Sequence, residues 1–154
     1  MAHIVILGAG IGGMPMAYEL KPLLRSEDRI TVVSNTSTFH FVPSNPWVAV
    51  NWRTRDAVEF EAAPYLQKKG IAFDGAGAKR LHPERNQVEL GDGRLLDYDF
   101  LVIATGPKLA FDEIEGLGPA GLTQSVCHVD HAVAAGQAWE KFVTAPGPVG
   151  VGAA

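Results

Sequence analysis

Near the amino terminus, Gly8-Ala9-Gly10-Ile11-Gly12-Gly13 has the residue types and spacing to hold a phosphate. The loop follows the apolar run His3-Ile4-Val5-Ile6-Leu7, too brief for a helix, and precedes Met14 to Arg25, where Met16, Leu20, Leu23 and Leu24 recur at helical spacing. A Gly-x-Gly-x-x-Gly loop between a strand and a helix has a mechanism. Gly8 permits the tight turn, Gly10 lets a pyrophosphate approach the backbone, and Gly13 lets helix and strand pack closely. The helix start then offers unpaired N–H groups and the positive end of its dipole. That chemistry is dinucleotide binding; a βαβ turn that holds nothing is the alternative.

Other reactive residues are fewer. At the end of the second strand, where a dinucleotide fold usually carries a carboxylate for the ribose, this chain has Ser34-Asn35. A hydroxyl or an amide still bonds a ribose, but without charge assistance. No arginine adjoins them to clamp a 2′-phosphate. The single cysteine, Cys127, excludes an internal disulfide framework and fits a reducing compartment. It is either a buried small hydrophobe or a functional thiol. His128 and His131 lack a converging Cys or Asp set, so they read as surface residues and no metal is expected. Ser44 and Ser125 have no histidine and acid at a recognisable spacing, which argues against a hydrolase. Phe39, Phe41, Trp47 and Trp52 either line a pocket or anchor their loop to the core.

The elements that position these residues follow from pattern. Residues 3 to 7 and Ile30 to Val33 are parallel strands around one helix, which Pro22 should kink or end early. Residues 36 to 55 read as irregular, a helix covers about 60 to 69 and ends at Gly70, and Ile71 to Phe73 is a third parallel strand. Ala78 to Leu81, Gln87 to Leu90 and Arg94 to Tyr98 form an antiparallel meander, with turns at Pro83 to Asn86 and Gly91 to Gly93. Phe100 to Ala104 returns to a buried strand, residues 130 to 143 are helical, and Pro148 to Gly152 starts another strand and glycine turn. At 154 residues, 47% hydrophobic and 19% charged, the chain has the length and composition of a globular α/β domain. The net charge of −4 gives no field for nucleic acid. The absence of a signal peptide and of any run of about 18 apolar residues predicts a soluble cytoplasmic protein.

The glycine loop, the meander and Leu101-Val102-Ile103-Ala104-Thr105-Gly106 together resemble the FAD domain of the two-dinucleotide-fold disulfide-reductase superfamily. Three stretches resemble the sulfide:quinone oxidoreductases more narrowly: Phe41-Val42-Pro43-Ser44-Asn45-Pro46-Trp47, the run from Ala104 through Gly106-Pro107-Lys108 to Phe111, and Gln124-Ser125-Val126-Cys127. The resemblance implies a Rossmann-like FAD-binding α/β domain, a parallel sheet with a three-stranded antiparallel meander, in an incomplete two-dinucleotide-binding fold. Residues 1–110 would form the FAD-binding part, and 111–154 a connection and the truncated start of a second dinucleotide domain.

By the same resemblance, Gly8, Gly10 and Gly12 would face the FAD pyrophosphate, with Ile11 and Gly13 completing the cofactor-binding loop. Ser34 and Asn35 would face the ribose and the Ala78 backbone the adenine. Thr105 and Gly106 would pack along the cofactor, and Pro43 would approach the flavin. Cys127, the candidate catalytic sulfur, matches the first of three cysteines with which that family oxidises sulfide, passing electrons through the flavin to a quinone. The other two cysteines, the quinone pocket and the elements that dock to a membrane surface would lie beyond residue 154. The implied parent is a peripheral membrane enzyme and the fragment alone is inactive. An NAD(P)H-dependent disulfide reductase or NADH-dehydrogenase-type flavoprotein is one alternative, and a non-catalytic nucleotide-binding module another. Self-association that covers an unfinished apolar surface is also expected.

Overall fold

The computed structural model describes residues 1–152. Along the chain run β1 (His3–Leu7), α1 (Gly13–Leu20), β2 (Arg29–Val33), β3 (Thr38–His40), α2 (Asn45–Ala49), β4 (Glu59–Glu61) and α3 (Ala62–Lys68). There follow β5 (Ala72–Asp74), β6 (Ala78–His82), β7 (Gln87–Leu90), β8 (Leu95–Asp97), β9 (Phe100–Ile103) and α4 (Val129–Thr144). Contacts gather the chain into two compact units, one of Met1–His40 with Glu59–Lys108, the other of Phe41–Val58 with the residues from Leu109 onward. The excursion of Phe41–Val58 into the second unit is invisible in chain order.

The first unit is built on a parallel sheet of order β5-β2-β1-β9. All five residues of β1 are buried, as expected of a central parallel strand covered on both faces. Its side chains alternate between two cores. Ile4 and Ile6 join Ile30, Val32, Met14, Ala17, Leu66 and Ile71 under α1 and α3. Val5 and Leu7 join Val33, Val88 and Leu90 under the antiparallel meander β6-β7-β8. The fold class expected from sequence is therefore the observed one, with a two-stranded ribbon, β3-β4, in addition.

α1 departs from its expected extent and face. It ends at Leu20 and passes into a 3₁₀ turn at Lys21–Leu23, because Pro22 has no N–H with which to continue. Its inward residues are Gly13, Met14 and Ala17, while Met16 and Leu23 are exposed. Close approach at Gly13 leaves room only for small or slender side chains on that face. α3 stops as expected: Gly70 adopts φ +67 and its N–H bonds Gln67 O at 2.9 Å.

Residues 36 to 55 are not irregular, contrary to the sequence expectation. β3 pairs with β4, and Phe39 stacks on Phe60 at 4.7 Å and packs on the core beside it. In the second unit, α2 lies on α4 through Val48, Ala49, Val129 and Ala132. That crossing needs Gly136, where a Cβ would stand 2.7 Å from Asn51 Oδ1. Residues 148–152 are exposed and carry no regular structure, so the strand expected there is not formed. No neighbouring strand takes up their backbone groups among the described residues. Residues 153 and 154 of the expected second region lie outside the described ones.

At the amino-terminal edge of the sheet, His3 is buried between β2 and the β8–β9 turn. Arg29 Nη2 donates to its Nδ1 at 3.2 Å, so Nε2 carries the proton and donates to Thr31 Oγ1 at 2.8 Å. Burial, and then the Arg29 charge, hold the imidazole pKa below its usual value; the Asp97 carbonyl and the Asp97 and Asp99 carboxylates oppose them less strongly. A lowered histidine pKa means the fold prefers the neutral ring. Its contribution is complete above the unfolded value of about 6.5 and is lost as pH falls from there through the folded value. Urea unfolding of wild type and His3→Gln at about pH 7.5 and about pH 5.5 should give a wild-type deficit at the lower pH that the variant lacks. Equal pH dependence in the two proteins would contradict this.

Candidate functional site

The glycine loop leaves β1 at Gly8, which adopts φ +105 and donates its N–H to Val33 O at 2.8 Å. A Cβ there would stand 2.3 Å from Ala104 O, so the turn lies directly on the segment that leaves β9. At Gly13 a Cβ would stand 1.8 Å from Gly8 O and 3.4 Å from Ile6 Cγ2, which brings α1 down onto β1. Gly10 is different: a Cβ would meet nothing within 4 Å. The space that a phosphate needs beside that backbone is open, and a side chain at residue 10 would fill it. Gly12 is exposed, with an ordinary 3.5 Å contact to Ala104 Cβ.

The start of α1 suits an anion. Met14 N–H bonds Gly10 O, the first bond of the helical ladder, and Pro15 has no N–H, so the amides of Ile11 to Gly13 precede that ladder. No side chain caps the helix and no acidic residue lies in its first turn, leaving the positive end of the dipole uncompensated. These residues fit the pyrophosphate of a dinucleotide.

The neighbouring strand ends extend the same edge. Ser34, buried, donates its N–H to Asp74 O at 3.0 Å, and its Oγ accepts the Thr36 N–H at 3.3 Å. Asn35 is exposed and abuts Gly77, whose φ is +70 and where a Cβ would stand 2.9 Å from Asn35 Cβ. Ala78, the first residue of β6, is exposed beside a bulge between Ala78 and Arg80. Thr105 and Gly106 follow β9, both exposed, with Gly106 at φ +75. Thus the loop Gly8 to Gly13, with Ile11 exposed at its tip, shares the carboxyl edge of one parallel sheet with Ser34, Asn35, Thr105 and Gly106, and Ala78 opens the antiparallel meander one residue past the Gly77 that abuts Asn35. In doubly wound sheets ligands bind at that edge.

Pro43 and Cys127 belong to the second unit. Pro43 is exposed in a 3₁₀ turn, Val42–Ser44, just ahead of α2. The two residues after it are fully buried polar side chains. Ser44 Oγ accepts a bond from Arg53 Nη1 at 2.8 Å, and Arg53 also lies 4.1 Å over the Trp47 ring. Asn45 Nδ2 donates to Val126 O at 2.8 Å, which fixes the backbone immediately before Cys127. Cys127 N–H bonds Ser125 Oγ at 3.1 Å, and the thiol is exposed rather than buried. The Ser-Asn-Pro-Trp motif therefore holds the cysteine loop, a role sequence reasoning missed because Asn-Pro reads locally as a turn. His128 and His131 face each other with ring centres 5.2 Å apart, and no group of metal-binding side chains occurs among the described residues. Of the loop aromatics, Phe39 is an anchor, whereas Phe41, Trp47 and Trp52 are exposed.

Residues 2–151 match the pyridine nucleotide-disulphide oxidoreductase family. The chain is 36% identical over 151 residues to the sulfide-quinone reductase of Aquifex aeolicus (strain VF5), covering 98% of this chain and 34% of that protein. It is 29% identical over 129 residues to the mitochondrial sulfide:quinone oxidoreductase of Dictyostelium discoideum, covering 81% and 28%. The crystal structure of the Aquifex aeolicus sulfide:quinone oxidoreductase superposes with a TM-score of 0.87 at 34% identity, over 95% of this chain and 33% of that one. The chain thus spans about a third of the length of these relatives. The family and its sulfide-quinone reductase members bind FAD, and this chain belongs to the pyridine nucleotide-disulphide oxidoreductase family.

Proposed function

We propose that the chain is the FAD-binding part of an oxidoreductase that oxidises sulfide and passes the electrons to a quinone. The observation that carries the reading is the phosphate cradle: open space at Gly10 beside an uncapped, acid-free helix start. The likeness to sulfide-quinone reductase at 36% identity supports the substrate pair. In this reading residues 1–110 bind the cofactor and the remainder leads into a second dinucleotide domain.

FAD, when bound, supplies the two-electron redox chemistry. The backbone N–H groups of Gly10 to Gly13 would hold its pyrophosphate, and the dipole of α1 would stabilise the negative charge. Ser34 and Asn35 would offer the ribose neutral partners, and the Ala78 backbone would serve the adenine. Pro43, which the family likeness would assign to the flavin, is exposed in the second unit. Cys127 presents an exposed thiol on a backbone held by Asn45. A thiol–disulfide relay needs two sulfurs, and this sequence has one, so the chain alone does not turn sulfide over. Among the described residues no helix is long and apolar enough to cross a membrane.

The test is the visible absorption of the purified chain before and after incubation with FAD and desalting. A flavin band that survives desalting is expected. A colourless protein that keeps none would overturn FAD binding by this chain.

A further inference from the structure

The carboxylate that a dinucleotide fold usually carries at the end of the second strand is found one strand over. Asp74 ends β5, in register with Val33 of β2, and its side chain is 17% exposed. Its oxygens are already committed. Oδ1 accepts the Ala76 N–H at 3.0 Å and Arg94 Nη2 at 3.0 Å, while Oδ2 faces Arg94 Nη1 at 2.8 Å. The same guanidinium donates from Nε to Asp92 Oδ2 at 2.7 Å. Asp92 Oδ1 accepts the Arg94 N–H at 3.1 Å, which closes the β7–β8 turn on itself.

One planar group therefore joins the end of β5 to the tip of the hairpin. Between them lies the turn of residues 75–77. Gly77 accepts the Gly91 N–H at 3.0 Å and presses on Asn35, and Ala78 follows it. Gly91 can come this close because it has no Cβ, which would stand 2.3 Å from Ala76 O. Arg94 is itself largely exposed, and exposed ion pairs add little stability. What the fork geometry supplies is orientation.

We propose that Arg94 is a positioning residue for the adenosine end of the cofactor. Through Asp74 and Asp92 it holds the turn that sets Gly77 against Asn35 and the Ala78 backbone at the adenine. The inference rests on the FAD reading above and adds to it the residue that orders the adenine wall. Lysine, a point charge without a fork, can hold one carboxylate but not both in one plane.

The experiment titrates the purified chain, as wild type, Arg94→Gln and Arg94→Lys, with FAD, with ADP and with inorganic pyrophosphate. Pyrophosphate occupies the glycine loop alone and so controls for general loss of structure. In Arg94→Gln, FAD and ADP should bind about tenfold more weakly, the scale of one misplaced hydrogen bond, with pyrophosphate unchanged. Arg94→Lys should fall between that variant and wild type. Arg94→Gln binding ADP like wild type would overturn the positioning role, and so would a parallel loss of pyrophosphate. A wild type that binds pyrophosphate but neither FAD nor ADP would instead overturn the FAD reading, and the role of Arg94 with it.

Discussion

Gly13→Ala should cripple the fold and FAD retention together, whereas Gly10→Ala should spare the fold and lose FAD. The added methyl at residue 13 would stand 1.8 Å from Gly8 O, a backbone atom that cannot step aside without moving the turn. Relief requires lifting α1 off β1, and with it the packing of Met14 and Ala17 on Ile4 and Ile6. A loss of about 3 kcal/mol, the upper end of ordinary overpacking, is the expected scale. At residue 10 the same methyl meets nothing within 4 Å, so stability should hold to within about 0.5 kcal/mol. It would nonetheless occupy the side from which a phosphate approaches. Urea midpoints and the flavin absorbance kept after desalting read the two effects separately. Should Gly10→Ala hold FAD as tightly as wild type, the pyrophosphate does not approach there.

The second large effect belongs to Asn45. Its amide is fully buried and donates to Val126 O, so Asn45→Asp sets a carboxylate oxygen against a carbonyl oxygen. Two acceptors cannot bond unless the acid keeps its proton, and burial favours the protonated form. The aspartate pKa is thereby raised in the fold, and stability falls as pH rises from the unfolded value of about 3.9 through the folded one. Near neutrality the variant should lose at least about 2 kcal/mol, more than Asn45→Ala, with a smaller deficit at about pH 5. Alkylation of Cys127 should quicken in both variants, because Val126 no longer has its tether. An unchanged alkylation rate would mean that Asn45 does not govern the cysteine loop.

How far these features can be read from the sequence depends on the range of the interaction behind each. The glycine loop, the strands of the parallel sheet and the meander were legible because turn residues and apolar runs within a few positions of one another specify them. So was the early end of α1, which one proline decides. The inward face of α1 was not: large residues at helical spacing suggested Met16 and Leu23, but contact at Gly13 selects the small Ala17 and the slender Met14. Residues 36 to 55 hid β3 and α2 because neither has a period of its own. β3 exists by pairing with β4, and α2 by packing on α4, some 80 positions away. Within the site, the loop and the strand ends were readable, and the two polar ties were not. Asp74 and Arg94 are 20 positions apart, and Asn45 and Val126 are 81 apart, so nothing local links them.

Cys127 also sets a valence. A chain with one exposed thiol can form one covalent bond through sulfur. Mild oxidation therefore ends at cross-linked pairs, and no degree of crowding extends them into polymers. For the same reason a maleimide dye attaches at one defined point, and mass spectrometry should count one label per chain. That label would report on the loop held by Asn45 without any engineering of the sequence.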